Sequence, residues 1–247
     1  MRNLRILTAL GLVAAAGAAN AGVTSTWTLT NDYDFRGNSQ SAKDPAIQAS
    51  IDYAHDSGWY IGAWASNIDF FEPDADPKYE LDLYSGFTGT TEGGLGWDAG
   101  LVYYTYPQET DFNYFEIYGS LSKDWFKGKI WYSNKFGGNA AEDFARFASG
   151  DDSVSAWYVE GNATFPLPEN FSILLHAGYS FGDYWDNAFG DKQFDYAAGV
   201  GYTVGNFTLA LKYVDTSGDV HITSDEFNNE GRVIFTVATT FPWKSSF

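Results

Sequence analysis

Period-two alternation is the feature that most constrains this chain. From Thr24 to Arg36, Trp27, Leu29, Tyr33 and Phe35 share one parity, while Thr24, Thr26, Thr28, Thr30, Asp32, Asp34 and Arg36 share the other. Successive side chains of a strand point to opposite faces, so the segment predicts a strand with one apolar and one wet face. Asn31 is the one misfit. The pattern recurs at Ile47–Tyr53, where Ile47, Ala49, Ile51 and Tyr53 alternate with Gln48, Ser50 and Asp52. It returns at Tyr79–Phe87, where Tyr79, Leu81, Leu83 and Phe87 alternate with Glu80, Asp82 and Tyr84. Further strands are expected at 59–67, 95–106, 112–122, 128–134, 154–165, 171–182, 193–204, 207–214 and 232–241, giving about twelve.

The connections alternate as well. Short links carrying turn residues fall at 55–58, 89–94, 123–127, 166–170 and 205–206. Between them lie longer ones at 37–45, 69–78, 107–111, 135–152, 183–192 and 215–231. An even strand count with short turns at one end and long loops at the other predicts an all-β fold, an antiparallel up-and-down transmembrane β-barrel with short periplasmic turns and longer extracellular loops. Both termini then lie on the periplasmic side. A soluble two-sheet sandwich would also alternate, but it gives no reason for aromatics at both ends of each apolar face.

Aromatic content supports the membrane reading: 17 Tyr, 20 Phe and 9 Trp are more than a soluble core of this size needs, and interfacial girdles account for the excess. A mean hydropathy of −0.27 is no objection, because only alternate residues face lipid. The absence of Cys excludes a disulfide framework and Cys-based metal sites.

Residues 1–21 read as a cleavable signal peptide. Arg2 and Arg5 precede an apolar run from Ile6 to Ala18, and Ala19-Asn20-Ala21 supplies the small-x-small cleavage pattern. The run is shorter than the roughly 20 residues that span a bilayer. Residues 22–247 are then a single outer-membrane barrel domain. Losing Arg2 and Arg5 from 14 basic residues leaves 12 against 32 acidic ones, a formal charge of −20, which makes nucleic acid an unsuitable partner. In the last strand Val233, Phe235, Val237, Thr239, Phe241, Trp243 and Phe247 share one parity and end the chain on Phe. This resembles the C-terminal signal recognised by the barrel-assembly machinery, although Pro242 interrupts the ladder.

The run Asp32-Tyr33-Asp34-Phe35-Arg36-Gly37-Asn38-Ser39-Gln40, with Pro45-Ala46-Ile47-Gln48 and Asp52-Tyr53, resembles the proteobacterial TorF family of porins. Ser57-Gly58-Trp59-Tyr60, Ala63-Trp64-Ala65-Ser66-Asn67, Tyr79 through Gly86 and Tyr104-Thr105-Tyr106-Pro107 extend the resemblance, which thins after about Asn134. It implies an outer-membrane barrel with a porin role and brings no functional residues.

On strand parity, the lumen-lining selectivity candidates are Asp32, Asp34, Arg36, Asp52, Glu80, Asp82, Asp98, Glu116, Glu160, Asp195, Lys212 and Arg232, with Lys129 among the basic ones. Carboxylates predominate, so an open lumen would favour cations or neutral solutes. A filled lumen would use the same charges as rigid cross-links. The acid-rich loops 69–76 and 215–230 match no EF-hand, and His55, His176 and His221 lack metal-ligand spacing. His176 shares inward parity with Ser172 and Ser180, but no nucleophile elbow accompanies them. Strand glycines such as Gly62, Gly86, Gly100, Gly119, Gly178, Gly199 and Gly201 are expected to permit barrel curvature. The expected function is a non-enzymatic channel for passive diffusion of small polar solutes, without cofactor or metal, in contact with outer-membrane lipid. The alternative is a non-channel barrel acting through its loops as an adhesin, receptor or partner anchor.

Overall fold

The computed structural model describes residues 22–70, 77–217 and 229–243. The expected signal segment, most of both acid-rich loops, His221 and Phe247 lie outside them. In chain order the strands are β1 (Gly22–Thr30), β2 (Asp34–Phe35), β3 (Asn38–Ser39), β4 (Ala46–Ala54), β5 (Trp59–Asn67), β6 (Tyr79–Thr90) and β7 (Gly96–Thr105). They continue with β8 (Tyr114–Lys123), β9 (Phe126–Ser133), β10 (Ala156–Pro166), β11 (Phe171–Phe181), β12 (Gln193–Val204), β13 (Phe207–Ser217) and β14 (Arg232–Phe241). Twelve of these close into one antiparallel barrel in sequence order, with β1 pairing both β4 and β14, and β2 and β3 form a separate small ladder. Closure leaves no unpaired edge, which a strand in hydrocarbon could not tolerate.

The alternation sorts side chains as expected. On β1, Val23, Trp27 and Leu29 are exposed on the outside, as are Ile47 and Ile51 on β4 and Leu83 and Phe87 on β6. The tight turns are the short links: Asp124-Trp125 joins β8 to β9 and Gly205-Asn206 joins β12 to β13, with Asp124 and Gly205 in the left-handed region that such turns require. Ten barrel strands bury even residues, whereas β9 and β12 carry the inward face on odd ones, Gln193 and Asp195 among them on β12. On β9 the odd residues Lys129, Trp131 and Ser133 are buried inside, while Phe126 and Ile130 face outward.

One boundary differs substantially from expectation. The strand expected over Thr24–Arg36 stops at Thr30, and residues 31–45 turn back into the lumen. Tyr33 and Phe35, expected on the lipid face, are instead packed inside against Trp64 and Tyr104. Asn31 marks the departure: its side chain donates to the Val233 carbonyl and accepts from the Phe235 amide, covering the edge where β1 leaves β14. The long links also contain helix: α1 (Gly138–Ser149) lies within the link 135–152, and a single π-helical turn covers Trp185–Phe189 within the link 183–192.

Several strand glycines admit aromatic rings across the ladder. A Cβ on Gly62 would meet the Tyr84 ring at 2.5 Å, and one on Gly86 would meet Tyr60 Oη at 2.4 Å. Gly62 and Gly86 are the register partners of Tyr84 and Tyr60. Ring accommodation therefore adds a steric role to the expected curvature.

Candidate functional site: the barrel interior and the hairpin within it

The inward segment is a two-residue hairpin. Phe35 pairs with Asn38 around Arg36 and Gly37, both in the left-handed region at φ 53° and 85°, as a type I′ turn demands. The ladder continues through the Gln40 amide, which donates to the Tyr33 carbonyl, and the Asp69 amide, which donates to the Gln40 carbonyl. Its tip packs against β12 and β13: a Cβ on Gly37 would lie 2.3 Å from Thr216 Cγ2 and 2.8 Å from Asp195 Cβ. Gln193 Nε2 donates to the Arg36 carbonyl at 2.7 Å. Glycine is therefore required at the tip for conformation and for space.

Charge anchors both ends of the hairpin. The Arg36 guanidinium donates to both Glu116 carboxylate oxygens at 3.0 and 2.7 Å, and the two side chains are almost fully buried. Around it stand the rings of Phe35, Tyr158, Trp131 and Phe136, with centroids 4.5–5.6 Å away. A planar, weakly hydrated cation suits this environment better than an ammonium would. At the base, Arg232 on β14 binds Asp32, donates to Asp34 at 2.5 Å and donates to the Gly37 carbonyl at 3.0 Å. Ser39 Oγ donates to Asp32 Oδ1 at 2.5 Å.

The structure thus distributes the sequence-derived candidates. Asp32, Asp34 and Arg36 lie on the hairpin rather than on the β1 wall, because the chain turns inward at Asn31. Glu116 and Arg232 hold it from the wall. Lys212 projects inward from β13 toward Asp34 and Arg232. Asp52 accepts from Tyr84, and Asp98 accepts from Tyr60 at 2.7 Å. Asp195 accepts from Tyr158 at 3.1 Å and meets His176 Nε2 at 2.6 Å, while Glu160 accepts from Trp131 Nε1 and Asn162. Lys129 Nζ lies 3.6 Å from the ring centroids of both Tyr118 and Trp131. Glu80 and Asp82 lie together, both buried and without a basic partner among the described residues. His176 contacts Asn162 and Asp195, and no described hydrogen bond joins it to Ser172 or Ser180. A Ser–His nucleophile pair is not assembled there.

The sequence reading missed the aromatic partners. Tyr60, Tyr84, Tyr104, Tyr118 and Tyr158 lie on the wet parity beside the carboxylates, and that parity was the signal available. At the loop end, a cavity of about 200 Å³ lies over the hairpin. Phe70, Phe112, Phe136 and Trp185 wall it, and Arg36, Asn38, Gln40 and Glu80 supply polar groups. Burial raises the Tyr184 phenol above its ordinary range at the cavity edge.

A closed twelve-stranded barrel with an apolar outside and a charged, hydroxyl-rich inside is the architecture of outer-membrane porins. Solved structures agree: the KdgM porin superposes with a TM-score of 0.53 at 7% identity, covering 90% of this chain and 99% of its own. The NanC porin superposes with a TM-score of 0.53 at 8% identity, covering 89% and 98%. KdgM in complex with disordered oligogalacturonate gives the same likeness, a TM-score of 0.53 at 7% identity over 90% and 100%. These likenesses concern the fold. By sequence, the chain belongs to Gcw_chp, described as a bacterial protein family of unknown function, whose pattern matches residues 14–241. The match gives a family of unknown function with a porin-type barrel and does not carry the TorF name that the motifs resemble. No curated protein matches the chain.

Proposed function

We propose that the chain is a porin-like channel of the bacterial outer membrane, inserted after loss of residues 1–21, through which small polar solutes diffuse. The observation that carries this reading is the gradient of exposure along the inner wall. On β1, Thr30 and Thr28 are 7% and 5% exposed beneath the hairpin, Thr26 is half-buried and Thr24 is exposed. On β12, Gln193 and Asp195 are buried, whereas Gly199 and Thr203 are partly exposed. Along β1, β12 and β14 the turn-end side of the lumen opens to solvent, while Tyr60, Asp98, Tyr118 and Lys129 stay buried along β5–β9, and the inserted hairpin narrows the bore above them. A barrel of this fold has been captured with an oligogalacturonate. Polar solutes are the class that a wall of carboxylates, hydroxyls and phenols suits here.

Carboxylates outnumber basic groups along that wall, so the channel prefers cations. In a planar bilayer under a salt gradient, the reversal potential should carry the sign of cation preference and shrink as ionic strength rises. In buffer free of divalent cations, amides at Glu80, Asp82 and Asp98 should move it toward zero. Anion preference in the unmodified protein would refute the reading.

A second reading draws on the same hairpin. If its anchors hold permanently, the barrel is closed and acts through its loops, where α1 leaves Phe147 89% exposed. An absence of current from the unmodified protein would favour it.

A further inference from the structure

Two acidic side chains stand apart from the anchoring network. Glu80 and Asp82 occupy alternate positions of β6, so both project inward, and they are 2% and 0% exposed. Most other inner carboxylates meet a donor or a cation: Asp32 has Arg232, Glu116 has Arg36, Asp52 has Tyr84, Asp98 has Tyr60 and Asp195 has His176. Neither oxygen of Asp82 receives a hydrogen bond, and no basic side chain pairs with it or with Glu80 among the described residues. Two buried carboxyls within reach of each other are held together only if one is protonated and donates to the other, or if both bind a cation between them.

A separate element points into the same place. Tyr33, on the inserted segment, is 6% exposed, and its Oη is directed toward Glu80 without closing a hydrogen bond to it or to any other group. A buried, unpaired phenol is costly unless its oxygen is used. Glu80 also lines the cavity open to the loop end, which supplies a route.

We propose that Glu80, Asp82 and Tyr33 Oη form a binding site for one hard divalent cation of the Ca²⁺ class beneath the hairpin. Oxygen donors of this kind suit hard cations, and two carboxylates match a charge of two. Because Tyr33 belongs to the inserted segment and the carboxylates to the wall, the bound cation also ties the segment to β6. The site deepens the channel reading without requiring an open pore, so calcium binding and conductance can fail independently.

Calorimetric titration of the full chain, refolded in detergent at neutral pH, with CaCl₂ tests the assignment. One saturable site is expected, with a dissociation constant of roughly 0.1–1 mM, the range of weak extracellular Ca²⁺ sites. Combined Glu80→Gln and Asp82→Asn should abolish it while the barrel stays folded by circular dichroism. Tyr33→Phe keeps both carboxylates and should weaken binding several-fold. In the wild type, Ca²⁺ should slow tryptic cleavage after Arg36 and Lys43, and in the double variant it should not. Absence of saturable Ca²⁺ binding in the wild type overturns the proposal, leaving a shared proton between the carboxyls. Equal binding in the double variant also overturns it, by placing the ion in the loops.

Discussion

The two halves of the lumen are built from the same wall yet differ in what fills them. At the loop end, residues 31–45 cross the bore and are tied to β8, β12 and β14 through Arg36, Gln193 and Arg232. Toward the turn end, along β1, β12 and β14, the inner residues are small ones such as Thr24, Thr26, Gly199, Thr203, Ala238 and Thr240, mostly partly exposed, whereas Tyr60, Asp98, Tyr118 and Lys129 fill the side formed by β5–β9. The contrast separates two tasks. Barrel closure rests on strand pairing and an apolar exterior, which both halves share, whereas the hairpin is seated by charge pairs, Arg36–Glu116 and Arg232 with Asp32 and Asp34, that lie at the loop end.

The largest expected effect targets occlusion. Arg36→Ala leaves Glu116 buried without its partner, a change that typically costs about 3–5 kcal/mol. The chain can escape that cost by letting the hairpin leave the bore, so tryptic cleavage after Lys43 should accelerate sharply while strand content is retained. Arg36→Ala with Glu116→Gln should restore part of the protection. Unchanged cleavage in Arg36→Ala would show that the ion pair does not seat the hairpin.

A smaller effect, on closure instead, comes from Leu83→Arg. It places a charge on the outward face of β6 at a cost of ~2–4 kcal/mol near mid-membrane. Its neighbour Asp82→Asn, facing inward, should cost much less in a lipid folding titration. Equal damage from both would mean that the faces are misassigned. Smaller again is Gly86→Ala, whose Cβ would collide with Tyr60 Oη and the Ala99 carbonyl. Overpacking of this kind costs about 1–3 kcal/mol, and Gly119→Ala, which meets nothing within 4 Å, should be close to neutral by the same titration.

The barrel was legible in the sequence because period two, turn residues and the order of short and long links are local signals that agree. The hairpin was not, because Tyr33 and Phe35 continue the parity of Trp27 and Leu29. An aromatic residue looks the same to that pattern whether it meets lipid or another ring. The signals that distinguish them were the misfit Asn31 and the Arg36-Gly37 pair, a turn in the middle of an apparent strand. Ala140 to Ala148, rich in Ala with Glu142 and Arg146, carried helical propensity that a reading for strands passed over. The candidate carboxylates were found by parity, but their partners come from strands distant in sequence: Arg36 and Glu116 are 80 residues apart, and Asp32 and Arg232 are 200 apart.

Single-channel current separates the two halves most directly. Replacing residues 32–40 with a short Gly-Ser link removes the hairpin and leaves every barrel strand in place. If the hairpin is the constriction of a pore, the shortened protein should show a persistent step conductance several-fold above the unmodified protein, with weaker cation preference at high salt. Equal conductance in the two proteins, or none in either, would contradict the account.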